Sequence, residues 1–195
     1  MRNMTKRKMK TVAGIDLSLT SPSICIFSGT EFNFKQCHFY FLTNINKLGK
    51  FYNERLLGSV FEEYNSQEER YHRISGWALK ALAMHHVSQV YIEDYAYAAT
   101  GRVFHIAENG GVLKYRLWSS QYDVFIIAPT TIKKFATGKG NANKEQMQVA
   151  FINETQYDVK YILGLSDKQW NPSSDIIDSY FICKYGYENY SRTPI

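Results

Sequence analysis

At 195 residues and 45% hydrophobic content, the chain can bury one core and is short for two, so a single domain is expected. No apolar run approaches the roughly 18 residues of a membrane helix, the basic opening segment lacks the apolar stretch of a signal peptide, and the three cysteines (Cys25, Cys37, Cys183) have no Cys-x-x-Cys spacing. These features argue against a membrane protein, a disulfide framework and a zinc site, and for a reducing compartment. Arg2, Lys6, Arg7, Lys8 and Lys10 equal the whole formal net charge of +5, so residues 1–10 read as a basic arm on a neutral body, suited to non-specific nucleic-acid contact or to solubility.

In chain order, Val12, Ala13, Ile15 and Leu17 form a nearly continuous apolar run, the pattern of a strand covered on both faces. Asp16 interrupts it, although burying a charge costs several kcal/mol or more unless something offsets it. A Ser/Thr-rich connection, Ser18 to Ser23, leads to a returning strand at Ile24 to Phe27. Two readings of this hairpin stand open: a phosphate cradle like that of actin-like ATPases, or a metal site on Asp16. Lys35 to Leu42 reads as a third strand, and Thr43 to Ser66, with no clean period, as a long irregular excursion.

Gln67 to Val87 is a helix whose core-facing stripe is Ile74, Trp77, Ala78, Ala81 and Leu82. Gln89 to Tyr95 is a fourth strand with Glu93 near its end. Val103 to Ser119 is a helix that is apolar on two sides: Val103, Ile106, Gly110, Leu113 and Leu117 on one, Phe104, Ala107, Gly111, Tyr115 and Trp118 on the other. A glycine inside a helix costs about 1 kcal/mol against alanine, so Gly110 and Gly111 suggest close approach of a second backbone. A subunit interface at Phe104, Ala107, Gly110 and Gly111 is therefore expected, with burial within one chain as the alternative.

Tyr122 to Ala128 is a fifth strand ended by Pro129, followed by a short helix at Thr130 to Ala136, the loop Gly138 to Asn143 and a helix from Lys144 to Glu154. Tyr157 to Gln169 reads as loop. A last helix starts at Pro172-Ser173-Ser174, with Pro and capping serines as its start signal, and runs to about Tyr185. The expected fold is α/β: a mixed five-stranded sheet, three antiparallel strands plus parallel ones, with helices on both faces over residues 11–187 and a tail at 188–195.

Four acids stand where a purely structural protein would gain nothing from them: Asp16, Glu93, and Asp175 with Asp178, three apart on one helix face. If the first and fourth strands are neighbours and the last helix crosses them, all four converge. Clustered carboxylates repel one another unless a cation or protons intervene. Oxygen ligands without His or Cys suit Mg²⁺, or Mn²⁺ as its substitute. Two such ions about 3.5–4 Å apart serve phosphodiester hydrolysis. Lys133, Lys134, Lys139 and Lys144 surround the Gly138-Lys-Gly140 loop with only Glu145 opposing them, a phosphate-contacting cluster.

Gly14-Ile15-Asp16, Ile92-Glu93 and Asp175-Ile-Ile-Asp178, together with Ile106-Ala-Glu-Asn-Gly-Gly-Val112 and the flanking Lys133 and Lys144, resemble the RuvC family of Holliday junction resolvases, within the ribonuclease H-like superfamily. The similarity runs from Val12 to Tyr185, and the basic arm, the 43–66 excursion and the loop around Asp158 to Trp170 resemble a bacteriophage-type member, which implies the cytoplasm of a bacterial or phage-infected host cell. The resemblance implies a homodimer that nicks two opposing strands of a four-way DNA junction. It makes Asp16, Glu93, Asp175 and Asp178 the ligands of two Mg²⁺ ions and gives Lys144 the developing phosphate charge and Lys133 a DNA contact. It also implies an aromatic wedge at Tyr95 or Tyr97, where base stacking is worth about 1–3 kcal/mol. No nucleotide cofactor is expected, since no GxxxxGK[ST] motif occurs. The alternatives are a non-catalytic junction-binding protein and an actin-like ATPase fragment, for which this length is short.

Overall fold

Strand β1 (Lys10–Asp16) sends successive side chains into two different cores, as a strand must. Ala13 and Ile15 join the layer of Ile24, Ile26, Ala78, Leu82, Val90 and Leu117. Val12 joins the opposite layer, with Phe27, Phe41, Phe151, Ile176 and Phe181. The period of two therefore aims Asp16 at the second layer, two residues beyond Gly14. The computed structural model describes residues 9–94 and 103–189.

Strands β2 (Ser23–Gly29) and β3 (Cys37–Thr43) continue from β1 as an antiparallel meander. Helix α1 (Gln67–Met84), capped by Ser66, leads to β6 (Gln89–Glu93), which lies parallel to β1. Helix α2 (Val103–Ser119) leads to β7 (Asp123–Ile127), parallel to β6. Helices α1 and α2 cover one face. The other is covered by α3 (Pro129–Thr137), α4 (Lys144–Thr155), the short α5 (Val159–Ile162) and α6 (Ser173–Asn189).

The sheet has seven strands, not five, in the order β4-β5-β3-β2-β1-β6-β7. The extra pair, β4 (Phe51–Asn53) and β5 (Leu56–Val60), comes from the segment expected to be irregular. Its strands are three and five residues long, too short to show a period. What orders them is pairing: β5 runs parallel to β3, with Phe39 opposite Leu56 and Thr43 opposite Val60, and β4 pairs antiparallel with β5. Three boundaries also move. The 157–169 stretch contains α5, the first long helix stops at Met84 ahead of a left-handed His86 (φ 52°), and the last runs on to Asn189.

Helix α6 lies directly on β1 because Gly14 has no side chain. A Cβ there would collide with the backbone O of Ser179 and N of Cys183. Gly186 admits the ring of Tyr91 in the same way at the other end of the helix. Gly14→Ala should therefore force backbone apart and cost about 3 kcal/mol or more, a fall in melting temperature of roughly 6–12 °C for a chain of this size. Thermal unfolding by circular dichroism checks this, and a change below about 2 °C would mean that the helix does not need the contact.

Candidate active site

Parallel pairing sets the first two acids side by side. The register of β1 on β6 puts Ile15 opposite Ile92, so Asp16 and Glu93, each one residue on, finish neighbouring strands at the same edge. Carboxyl ends of parallel strands are a common place for ligand sites. The close seat of α6 on Gly14 brings its first turns over that edge, where Asp175 and Asp178 project. Asp16, Glu93 and Asp178 line one cleft of about 350 Å³ with Ser18, Asp94, Lys114 and Lys133, over an apolar floor that includes Ile92, Ile106 and Ile126. A second recess of about 260 Å³ shares Lys133 and Asp178 with it and continues to Lys144 and Ser174.

The basic residues are placed by local structure. Lys144 opens α4 behind a capping box in which Asn143 Oδ1 accepts from Gln146 N (2.9 Å) and Gln146 Oε1 accepts from Asn143 N (3.0 Å). Its ammonium donates to Asn171 Oδ1 (3.1 Å) and Ser174 Oγ (3.3 Å). Lys133, on α3, lies at the junction of the two recesses. Lys134 is exposed and lines neither, and Lys139 faces a separate depression with Glu145. The structure thus separates Lys133 and Lys144 from the other two lysines.

Asp175 is the buried member of the quartet, with both oxygens engaged. Ser21 Oγ and Asn171 Nδ2 (2.9 Å) donate to Oδ2, and Ser174 Oγ donates to Oδ1 (3.1 Å). The Ser/Thr-rich turn after β1 is therefore occupied within the site: Ser21 serves Asp175, and Asn171 Nδ2 also donates to Ser21 Oγ (2.8 Å). Ser18, Ser21, Asn171 and Ser174 were not singled out from the sequence as site residues, because Ser and Asn beside a turn or helix start are explained locally by capping. Lys114 was missed as well. Its one signal is its place four residues after Gly110, on the face that lines the cleft.

The electrostatics follow from burying four acids together. Withdrawal from water, reinforced by Asp175, Asp178 and Glu93, raises the Asp16 carboxyl well above its ordinary range. Burial first, then the charges of Glu93 and Asp175, pushes Asp178 up to about 8. Burial raises Glu93 to about 7, with Lys133 opposing. Asp175 is also raised by burial, against the pull of its Ser21 hydrogen bond and Lys144.

Among the described residues no three His, Cys, Asp or Glu side chains form a ready coordination sphere, although the four acids feel one another's charge. The ranges differ: charge acts across several ångströms, coordination only at contact. The donor set, four carboxylates with unbalanced charge and no nitrogen or sulfur, fits a hard divalent cation.

Tyr95 and Tyr97 lie outside the described residues, as does the basic arm up to residue 8. On α2 the expected interface residues divide. Gly110 is buried and lines the acidic cleft, whereas Phe104 (77% exposed) and Gly111 stay on the open face, with Ala107 half-buried beside them. Successive helical residues point about 100° apart, which lets Gly110 face the cleft while Gly111 faces solvent. Tyr115 and Trp118 extend the open stripe, their ring centroids 6.3 Å apart.

Comparison with known proteins bears on this geometry. Residues 48–178 match the family model described as Crossover junction endodeoxyribonuclease RuvC, a span that holds Glu93, Asp175, Asp178 and both site lysines and begins after Asp16. No curated protein sequence matches. Among solved structures, Thermus thermophilus RuvC is similar at 18% identity and a TM-score of 0.59, over 95% of this chain and 99% of that one. The same protein in complex with a Holliday junction substrate gives 16%, 0.58, 95% and 99%. The yeast mitochondrial Holliday junction resolvase Ydc2 gives 16%, 0.54, 93% and 79%. At such identities the likeness concerns the fold, and the family match concerns most of the chain: the protein belongs to the RuvC family of crossover junction endodeoxyribonucleases.

Proposed function

We propose that the protein is a structure-selective endonuclease that resolves four-way DNA junctions by paired symmetric nicks, acting as a homodimer. The observation that carries this reading is the meeting of Asp16, Glu93 and Asp178 in one cleft with Lys133, beside Asp175 and Lys144. Asp16, Glu93, Asp175 and Asp178 are the residues that would hold two Mg²⁺ ions, with Mn²⁺ as substitute, which would polarise the scissile phosphate and activate water. Lys133 in the cleft and Lys144 in the adjoining recess offer positive charge to a phosphate oxygen. The apolar floor of Ile92, Ile106 and Ile126 excludes water beneath the acids and strengthens their electrostatics. The T. thermophilus relative is described with a Holliday junction substrate, which makes branched DNA the substrate class to test.

The dimer reading rests on the stripe Phe104, Ala107, Gly111, Tyr115 and Trp118. Large exposed aromatics in a row mark an interaction surface. Gly111 has nothing within 4 Å of the place its Cβ would take, so no contact within the described chain requires a glycine there. Trp118→Glu should weaken self-association about 30-fold or more. Sedimentation velocity would show monomer, and junction cleavage would become single, unpaired nicks. A dimer of unchanged affinity would move the interface elsewhere.

The decisive experiment incubates the protein with a synthetic four-way junction, with Mg²⁺ and with excess EDTA. Symmetric paired nicks that need Mg²⁺, with plain duplex left intact, are expected. Equal cutting of duplex, or cutting in EDTA, would overturn the proposal. Binding without any cutting would favour a non-catalytic junction-binding protein.

A further inference from the structure

Lys144 and Asp175 are opposite charges held one side chain apart, and they do not pair. The ion pairs among the described residues are Arg73–Glu62, Arg73–Glu69, His105–Glu108 and Lys184–Glu154. Between Lys144 and Asp175 stands the amide of Asn171. Its Oδ1 accepts from Lys144 Nζ (3.1 Å), and its Nδ2 donates to Asp175 Oδ2 (2.9 Å) and Ser21 Oγ (2.8 Å). Only one orientation of the amide fits, because the flipped one would aim its NH₂ at an ammonium and its oxygen at a carboxylate.

We infer that Asn171 is a positioning residue that insulates Lys144 from Asp175, so that neither charge neutralises the other and the ammonium's charge serves a phosphate oxygen and the carboxylate's a divalent cation. Opposite charges a few ångströms apart in a partly buried site attract strongly, so with the amide gone the flexible lysine would close onto Asp175. A neutral group with a donor end and an acceptor end satisfies both partners without consuming either charge. The backbone holds the amide in place: the carbonyl of Trp170 accepts from Ser174 N (2.9 Å) and Ser173 Oγ (3.0 Å), and the Trp170 ring carries Lys160 Nζ 4.3 Å from its centroid. The inference rests on the metal-dependent reading of this site, and its test separates the two.

The test measures Mn²⁺ binding to the full-length, DNA-free protein by the paramagnetic resonance signal of the unbound ion. Four proteins are compared: wild type, Asn171→Ala, Lys144→Ala and the double variant. Asn171→Ala should weaken Mn²⁺ binding about 10-fold, because Lys144 then competes for Asp175. Removing Lys144 as well should bring affinity back to within about 2–3-fold of Lys144→Ala alone. A merely structural role for Asn171 would weaken binding equally with or without Lys144, and that result overturns the proposal, as does unchanged affinity in Asn171→Ala. If the alanine variant fails to fold, Asn171→Leu, of the same branched shape and without hydrogen bonds, carries the same comparison. A wild type that takes up no Mn²⁺ would overturn the metal reading itself, a result distinct from loss of the difference between variants.

Discussion

Asp16→Asn should leave the protein folded and able to bind a four-way junction while cutting it on the order of 10³-fold more slowly. The substitution keeps the shape of the side chain and removes one charge from a quartet whose members raise one another's proton affinity. Glu93 and Asp178 stay in the cleft, and the lysines that face phosphate stay beside it. Binding should therefore persist, and with less repulsion among the acids it should tighten slightly in the absence of metal. The measurements are a single-turnover cleavage assay and an electrophoretic binding assay on the same junction. Cleavage within about 3-fold of wild type would remove Asp16 from the chemistry, and loss of binding together with loss of folding would make it structural. The larger effect is expected on the chemical step, because the residue sits at a strand end where its backbone pairing with β2 does not depend on its charge.

The second large effect is on stability as a function of pH in the metal-free protein. Unfolded carboxylates titrate near 4, whereas Glu93 sits at about 7 and Asp178 at about 8 in the fold, for reasons of burial first. Between roughly pH 4 and pH 8 the native state therefore holds more protons than the unfolded state. Stability must fall as pH rises through that window. The loss should be a few kcal/mol across the window. Asp178→Asn removes the larger shift, so it should flatten the curve and melt about 5 °C above wild type at pH 8.5 in EDTA. Mg²⁺ should recover much of the difference in wild type by binding the native state. Thermal melts from pH 5 to pH 8.5 decide the matter. A wild-type curve that rises over that range, or an Asp178→Asn protein less stable than wild type at pH 8.5, would mean that the acids are satisfied by partners within the chain.

Runs of local period were readable directly. The apolar stretch around Ile15 and the stripe Ile74, Ala78, Ala81 and Leu82 became β1 and a face of α1, because strand and helix periods are written in neighbouring residues. Asp16 stood out because a charge inside such a run has no structural return, and the 175/178 pair because three residues is a helix spacing. Strands β4 and β5 were illegible for the opposite reason. Strand β5 exists by pairing with β3, more than ten residues away in the chain, and β4 by pairing with β5, and strands this short carry no period of their own.

By itself, then, the sequence determined the longer elements that carry a period of their own, their order and the presence of misplaced acids, since each depends on a few adjacent residues. Only the tertiary structure decided that Asp16 and Glu93 end adjacent parallel strands, that α6 closes on Gly14 to deliver Asp175 and Asp178, and that Gly110 faces the cleft while Gly111 faces outward. It also decided that Asn171 lies between Lys144 and Asp175. The reason is physical: register, close approach and hydrogen-bond partners are set by which surfaces pack together, and packing joins residues that the chain keeps far apart.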